Sequence, residues 1–282
     1  MATLYLVSTP IGNLGDLSPR AEDTLRSVSR ILAEDTRRTR ILADRAGSHA
    51  RLVSVHAHNE RERIGRILTW LDAGDDLALV SDAGTPLVSD PGARVVRAVT
   101  DAGHYVVPIP GPSAVLAALV GSGLATGRFA FLGFPDRKGP GRRRLLERIA
   151  DAKEAIVLFE APGRLVALLD DLSDVCGANR GCAVARELTK VHEEFVRGTL
   201  EEAARYYRER PPRGEVTLVV AQAEDKAGQQ DRAEEARALA SELIGGGMKP
   251  STAARELADR LDLARNEAYR IVHDLGEDTA DE

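Results

Sequence analysis

The chain has 282 residues, of which 43% are hydrophobic and 29% charged, a balance that is typical of globular proteins. Its formal net charge of −6 means that any contact with nucleic acid depends on a local basic patch. The two cysteines, Cys176 and Cys182, lack CxxC spacing and form no disulfide framework. No signal-peptide pattern and no apolar run of about 20 residues is found, so we expect a cytoplasmic protein without membrane contact.

Short apolar runs alternate with amphipathic stretches over the first ~220 residues, which predicts α/β architecture. In the first half, strands are predicted at Leu4–Val7, Leu52–His56, Leu77–Ser81 and Tyr105–Val107. Helices are predicted to begin at Ser18-Pro19, near Glu60 and at Asp90-Pro91, and a further helix follows the proline-rich turn after the last strand.

The glycines of Gly121-Ser122-Gly123 predict a boundary, after which the alternation starts again. Later strands are predicted near Phe129–Phe134, Ala155–Phe159, Ala183–Arg186, Glu194–Arg197 and Glu215–Ala221. Later helices are predicted near Gly141–Ala150, Arg164–Leu172 and Leu200–Arg208. We therefore predict two α/β domains, residues 1–121 and 122–223.

Residues 224–282 are predicted to form a linker and a small helical domain. Its helices are expected at about Ala233–Ile244, Pro250–Leu261 and Ala264–Leu275. The last two could form a helix-turn-helix that reads DNA, or they could simply pack as part of a small bundle. Because their local charge is near neutral, the bundle is favoured.

Three turns rich in glycine and proline follow predicted strands of the first domain. They are Thr9–Asn13, Ser81–Pro86 and Pro108–Ala114. Ligands of open α/β sheets bind at the carboxyl ends of the strands, so these turns predict a binding cleft. The chain has no GxGxxG after the first strand, no P-loop, no GxSxG and no HExxH.

Seven strings in order over about residues 3–222 match one family of enzymes. They are VSTPIGNLGD, ILAEDTRRTR, HAHNE, LVSDAGTPLVSDPG, VPIPGPSA, FEAPGR and ARELTKVHEEFVRG. With them the chain resembles the tetrapyrrole methylase-like enzymes that use S-adenosyl-L-methionine (SAM). Within that superfamily it is similar to the branch that methylates a cytidine 2′-hydroxyl of small-subunit ribosomal RNA.

The resemblance implies a SAM cleft between the two α/β domains, bound without the Rossmann glycine pattern, in a homodimer. By motif position, the residues expected to contact SAM are Pro10, Ala83, Gly84, Thr85, Val88, Ser113, Ala114, Phe159, Glu160 and Leu188. One departure is Gly163, where the family usually carries histidine. We expect that histidine to support the fold or RNA contact, and Arg164 to suffice here.

Methyl transfer to a ribose hydroxyl needs alignment, and a base or a positive group near the oxygen would help. The catalytic candidates are Lys190, Glu187 and Glu60, with Glu34, Asp35 and His58 as further possibilities. Charges at strand ends are also often caps or salt-bridge partners. His56 and His58 are two apart and could ligate a metal from one side of a strand, but no third ligand is evident, so no metal is expected.

Residues 137–148 contain six basic residues and one acidic residue, which favours phosphate binding over a merely solvated helix face. The residues expected to contact RNA are Arg37, Arg38, Arg40, His58, Asn59, Arg137, Lys138, Arg142, Arg143 and Arg144. Two other functions stay open: a C-methyltransferase of corrin-type tetrapyrroles, and a non-enzymatic nucleic-acid-binding protein that uses the C-terminal helices.

Overall fold

The computed structural model describes residues 1–125, 127–223, 226–261, 263 and 265–278, with the backbone alone for 226–234 and 275–278. The strands are β1 Thr3–Val7, β2 Arg30–Ala33, β3 Arg51–Ser54, β4 Leu77–Val80, β5 Tyr105–Ile109, β6 Phe129–Phe131, β7 Ala155–Glu160, β8 Gly181–Arg186, β9 Glu194–Thr199 and β10 Val216–Val220. The helices are α1 Pro19–Ser27, α2 Thr36–Ala46, α3 Glu60–Asp72, α4 Ala93–Asp101, α5 Ala114–Ser122, α6 Pro140–Ala150, α7 Leu165–Cys176, α8 Leu200–Glu209, α9 Lys226–Gly245, α10 Pro250–Leu261 and α11 Arg265–Asp278.

The first sheet is wholly parallel, with strand order β3-β2-β4-β1-β5. Its central strand β4 is buried along its whole length, as expected for an apolar run covered on both faces. Helices α1 and α2 cover one face, where Leu25 and Leu42 join the core, and α3 and α4 cover the other with Ile67 and Val95. All of its strands therefore end at one edge.

The second sheet is mixed, with strand order β6-β7-β10-β8-β9. Strand β6 pairs with β7 in parallel, and the other pairs are antiparallel. Helices α6, α7 and α8 bury apolar side chains against one face, among them Ile149, Leu168 and Tyr207. The opposite face receives Val115 and Ala118 of α5. The helix that follows the last strand of the first sheet thus packs on the second sheet.

Two sequence signals locate helix starts in detail. Ser18 caps α1 with its hydroxyl, which accepts a hydrogen bond from the Ala21 N–H, and Pro19 is the first helical residue. The capping box of α8 pairs the Thr199 hydroxyl with the Glu202 N–H and the Glu202 carboxylate with the Thr199 N–H.

The chain divides into two compact units, Met1–Ala223 and Glu224–Glu282. Both sheets belong to the first unit. The second unit contains α9, α10 and α11, which pack through small residues such as Ala240, Ala253 and Ala268 around Leu257. No described helix is long and apolar enough to cross a membrane.

The predicted fold class is confirmed, and most elements lie within a few residues of their predicted positions. The sequence patterns contain no prediction for β2 and α2, which the structure adds to the first sheet. The prediction that Asp90-Pro91 opens a helix is wrong, because α4 begins at Ala93 after Gly92 adopts a φ of 123°. The domain boundaries stay predictions; residues 126, 224, 225, 262, 264 and 279–282 lie outside the described residues.

Candidate functional site

The three turns after β1, β4 and β5 are joined by hydrogen bonds. Thr9 and Gly84 exchange both backbone hydrogen bonds at 2.9 Å, which links the first two turns as a short antiparallel bridge. The Thr85 hydroxyl donates to the Pro112 carbonyl at 3.2 Å and thereby joins the third turn. A Cβ on Gly111 would lie 3.0 Å from Ser8 Cβ, so this turn approaches β1 closely because it has no side chain there.

Above these turns lies a cavity of about 360 Å³ between the edges of the two sheets. Its lining residues are Ile11, Arg38, Asp82, Ala83, Gly84, Thr85, Val88, Ser89, Asp90, Ser113, Ala114, Val115, Phe134, Phe159, Glu160, Ala161, Pro162, Gly214, Glu215, Val216 and Thr217. The cavity therefore combines apolar side chains with several carboxylates.

The structure brings most of the expected SAM contacts to this cavity. All of them line it except Pro10 and Leu188. Pro10 is buried in the first turn, and Leu188 is buried in the cluster that also holds Ile11 and Val115 of the cavity wall. Leu188 thus packs against the wall residues, and Pro10 precedes Ile11 of the wall.

Two loops at the cavity share an unusual backbone pattern. In the loop after β4, Leu87 and Ser89 have positive φ values of 72° and 68°. In the loop after β8, Glu187 and Thr189 have positive φ values of 51° and 66°. A non-glycine residue in this region costs on the order of 1 kcal/mol and is often found at functional sites.

Glu160, at the end of β7, forms an ion pair with Arg164, whose side chain is partly exposed. Its fully buried carboxylate accepts a hydrogen bond from Arg164 Nη2 at 2.9 Å and one from the Ala161 N–H at 2.7 Å, and its Oε1 lies 2.8 Å from Arg164 Nε in an ion pair. Arg164 Nη2 also donates to the Pro135 carbonyl at 2.6 Å. Arg164 of the FEAPGR string thus neutralises the buried carboxylate and holds the loop that contains Pro135.

The departure at Gly163 has no packing consequence in the structure. A Cβ on this residue would meet no atom within 4 Å, so a histidine would project into open space.

Lys190 and Glu187 form a network at the second-sheet side of the cavity. Lys190 Nζ lies 2.8 Å from Glu187 Oε1 and 3.3 Å from Glu215 Oε2, and Glu215 lines the cavity. The hydrogen bond from Lys190, with another from the Glu215 N–H, holds the pKa of Glu187 below its usual range. Burial acts to lower the pKa of Lys190, but hydrogen bonds and charges of the two carboxylates outweigh it and raise that pKa.

The Lys190 side chain also reaches the first turn. A Cβ on Gly12 would lie 2.5 Å from Lys190 Cγ, so the lysine stem passes directly over this glycine. The loop after β8 therefore contacts the loop after β1 through Lys190.

A second group of charges lies on the first-sheet side. Asp82 accepts a hydrogen bond from the Asp35 N–H at 2.9 Å and pairs with Arg38 at 3.5 Å. Asp90 lines the cavity beside it. Burial, together with the nearby negative charges of Glu34 and Asp82, raises the pKa of Asp90 to about 6, although a hydrogen bond with Ser81 acts in the opposite direction. The Arg37 side chain, by contrast, lowers the pKa of Asp35 to about 2.

The HAHNE string is placed apart from the cavity lining. Glu60 is buried, and its Oε1 accepts hydrogen bonds from the Arg94 and Val95 N–H groups at the start of α4.

The placement of His56 and His58 on a strand is wrong, because β3 ends at Ser54. Asn59 causes the turn that follows: its side chain accepts from the His56 N–H and donates to the Ser54 carbonyl. Among the described residues, no group of three potential metal ligands occurs.

The basic segment divides into paired and unpaired residues. Arg142 pairs with Asp171 of α7 at 2.6 Å and donates to the Asp136 carbonyl, so it stabilises the fold. Four exposed residues form no ion pair with any described residue: Arg137, Lys138, Arg143 and Arg144. We name these four the basic rim. On α2, Arg40 is exposed, whereas Arg37 pairs with Asp35.

Phe134 connects the cavity to the basic rim. Its side chain lines the cavity, contacts Phe159 with ring centroids 5.4 Å apart and ring planes tilted by 54°, and remains 59% exposed. Neither Phe134 nor Asp90 is among the site residues expected from the sequence. Asp90 stands within the LVSDAGTPLVSDPG string and Phe134 outside all seven strings, and their local patterns predict a helix start and a strand end.

The sequence matches one family of known proteins over most of its length. The model of a family described as Tetrapyrrole (Corrin/Porphyrin) Methylases matches residues 3–204. Ribosomal RNA small subunit methyltransferase I of Synechocystis sp. is 46% identical over 278 residues, which cover 99% of this chain and 100% of that protein. The protein of the same name from Bacillus subtilis is 41% identical, over 97% of this chain and 94% of that protein.

Solved structures show the same fold at low sequence identity. A cobalt precorrin-4 methyltransferase superposes with a TM-score of 0.60 at 17% identity, over 78% of this chain and 94% of that one. The uroporphyrin-III C-methyl transferase from Thermus thermophilus, complexed with S-adenyl homocysteine, superposes with a TM-score of 0.57 at 21% identity, over 79% of this chain and 98% of that one. The family resemblance is confirmed: the chain belongs to the tetrapyrrole (corrin/porphyrin) methylase family and, within it, to that of ribosomal RNA small subunit methyltransferase I.

Proposed function

We propose that this chain transfers the methyl group of SAM to the 2′-hydroxyl of a cytidine ribose in small-subunit ribosomal RNA. The observation that carries the proposal is the 46% identity, over 99% of the chain, to a ribosomal RNA small subunit methyltransferase I. The cavity supports it, because the exposed ring of Phe134 lines this pocket and the chain continues from Phe134 into the basic rim.

The cavity residues fit SAM. The cavity has a volume of about 360 Å³, which falls within the range of roughly 300–1,000 Å³ that is common for small-molecule sites. The apolar side chains of Ile11, Val115 and Phe159 suit the adenosyl group, while the carboxylates suit the positive sulfonium and ammonium groups. SAM supplies an already activated methyl group, so the protein has to align the acceptor oxygen and accept its proton.

The pKa directions assign a role to Lys190. Because its pKa is raised, Lys190 stays protonated at neutral pH and acts as a cation at the cavity edge rather than as a base. Glu187, with its lowered pKa, is a weak base and holds the lysine in place. Glu60 caps α4 and takes no part in the proposed reaction.

The RNA is proposed to approach over Phe134 and the basic rim. An exposed ring at the cavity mouth can stack on a nucleobase, and the unpaired cations of the rim can contact phosphates. The logarithm of the RNA-binding constant falls linearly with the logarithm of the salt concentration. The double variant Arg143→Gln and Arg144→Gln should make that slope less steep by about 2 and should weaken affinity at low salt. Arg20→Gln, an exposed arginine on α1, is the matched control. An unchanged slope in the double variant would place the RNA elsewhere.

The decisive test is transfer of labelled methyl from SAM to small ribosomal subunits that lack the modification. Label in an alkali-resistant dinucleotide containing cytidine is the expected result, because a 2′-O-methyl group blocks cleavage there. Tetrapyrrole precursors serve as the parallel substrate, and label entering them alone would identify a C-methyltransferase. A protein that binds RNA but no SAM would support the non-enzymatic alternative.

A homodimer in the cytoplasm completes the proposal. On α5, Leu116 and Val120 are 51% and 74% exposed and stand four residues apart, so they share one apolar face. Light scattering should give twice the mass of the chain, and Val120→Glu should shift it to the mass of one chain.

A further inference from the structure

Asp90 is a carboxylate on the cavity wall that has no role in the function proposed so far. It lines the cavity and is half-buried. Within the described part of the chain, no lysine or arginine forms an ion pair with Asp90, whereas its neighbour Asp82 pairs with Arg38. Asp90 is therefore a carboxylate at the site that no cation neutralises.

The backbone holds Asp90 at the cavity. Leu87 and Ser89 both adopt positive φ values, and α4 begins only at Ala93. A Cβ on Gly92 would lie 2.7 Å from Leu87 Cδ2, so the two ends of the segment that contains Asp90 pack closely together. Non-glycine residues seldom adopt this conformation, and such backbone strain is often found at functional sites.

The loop that carries Asp90 meets the loop that leads to the proposed RNA surface. A Cβ on Gly133, in the loop after β6, would lie 3.5 Å from Ser89 Oγ, so the two loops meet there. The next residue is the exposed Phe134, and the chain continues from it into the basic rim. A nucleotide that stacks on Phe134 would bring its ribose towards the loop that carries Asp90.

Resting on the proposed function, we infer that Asp90 is the catalytic base that accepts the proton of the ribose 2′-hydroxyl. In this step the hydroxyl oxygen forms a bond to the methyl carbon, and the carbon–sulfur bond breaks with its electron pair passing to sulfur. The hydroxyl proton passes to the Asp90 carboxylate and then to solvent. Charge balances, because the sulfonium loses its positive charge as the carboxylate loses its negative charge.

The electrostatics of the loop support this role. Burial and the charges of Glu34 and Asp82 raise the pKa of Asp90 to about 6, against the effect of the Ser81 hydrogen bond. Asp90 is then ionised at neutral pH but binds a proton more strongly than an ordinary carboxylate, which is the property required of a general base. The lowered pKa values of Asp35 and Glu187 make those two carboxylates weaker bases.

The test compares Asp90→Asn with the wild-type chain in methyl transfer to small subunits, from about pH 5 to about pH 9. We expect a fall in kcat of about 100-fold or more, with the Kd for SAM within about threefold of wild type. The wild-type rate should increase through an apparent pKa of about 6 and then level off. That increase should be absent from the residual activity of Asp90→Asn, and Asp90→Glu should restore part of the rate.

Glu34→Gln provides the matched variant, because it removes a neighbouring charge without touching Asp90. It should lower the pKa of Asp90 and shift the increase in rate to lower pH, which a purely structural role would not do. Activity of Asp90→Asn within about threefold of wild type would overturn the inference, as would an unshifted profile in Glu34→Gln. Should Asp90→Asn fail to fold, the Glu34→Gln profile decides. A wild-type chain that binds SAM but methylates no RNA would instead overturn the proposed function, and this inference with it.

Discussion

The two sides of the cavity treat their carboxylates differently. On the second-sheet side, Glu160 pairs with Arg164 and Glu187 pairs with Lys190. On the first-sheet side, Asp82 pairs with Arg38, but Asp90 forms no ion pair with a described residue, has two acids as neighbours and has a raised pKa. The loops of Asp90 and Glu187 nevertheless share the same alternation of positive φ values. One backbone arrangement thus serves two purposes: on one side it stabilises the wall, and on the other it holds a reactive group.

The largest expected change in the free energy of unfolding is at the ion pair of Glu160 and Arg164, on the second-sheet side. Arg164→Met removes the partner of a fully buried carboxylate, and Glu160 then keeps only the Ala161 N–H. We expect the free energy of unfolding to fall by about 3 kcal/mol, since breaking one side of a buried ion pair costs roughly 3–5 kcal/mol. Urea unfolding measures this. Adding Glu160→Gln to Arg164→Met should recover most of the loss, and a loss below about 1 kcal/mol would show that solvent reaches Glu160.

The Lys190 network should contribute less, because it is partly exposed. Lys190→Met should lower the free energy of unfolding by about 1 kcal/mol at pH 7. Glu187 has a lowered pKa in the folded state, so its contribution is present above its unfolded pKa of about 4.3 and is lost as the pH falls through the folded pKa. The difference between wild type and variant should therefore shrink below about pH 4. A difference that is constant with pH would contradict this account.

For Asp90 we expect the opposite dependence of stability on pH. A carboxyl whose pKa is raised to about 6 in the folded state destabilises the protein progressively as the pH rises from its unfolded pKa of about 3.9 through that value. Asp90→Asn should therefore stabilise the chain by about 1 kcal/mol at pH 8, after allowance for partial exposure, and have little effect near pH 4. Thermal unfolding at the two pH values measures this. A loss of stability at pH 8 would remove the contrast between the two sides.

The smallest effect is expected at Gly163. Gly163→His should change the free energy of unfolding by no more than about 0.5 kcal/mol, because the new side chain would meet no atom within 4 Å. The Arg164–Glu160 pair next to it should be unaffected. A larger loss would indicate that residue 163 is constrained by the second copy of a dimer or by the loop itself.

Local signals in the sequence predicted the elements and the cavity turns well. Ser18-Pro19 locates the start of α1, and the turns at Thr9–Asn13 and Ser81–Pro86 meet because parallel strands end at one edge. The four-residue strand β2 has no such signal, since polar residues follow it directly. The pairing of Arg142 with Asp171 depends on how α6 packs on α7, and no local pattern contains that information.

The role of Asp90 was hidden for a related reason. An Asp-Pro pair is a usual helix start, and only the positive φ values of Leu87, Ser89 and Gly92 turn the carboxylate to the cavity instead. Neither leucine nor serine favours that conformation, so their types do not reveal it.

The bridge between Thr9 and Gly84 has a consequence for the kinetics of ligand entry. These two amides lie in turns, yet each is bonded as firmly as a strand amide, at 2.9 Å. Their hydrogen exchange should be as slow as that of β1 and β4, rather than fast as in ordinary surface loops. The floor of the cavity would then be in place before any ligand arrives, and association would be limited by encounter rather than by loop ordering.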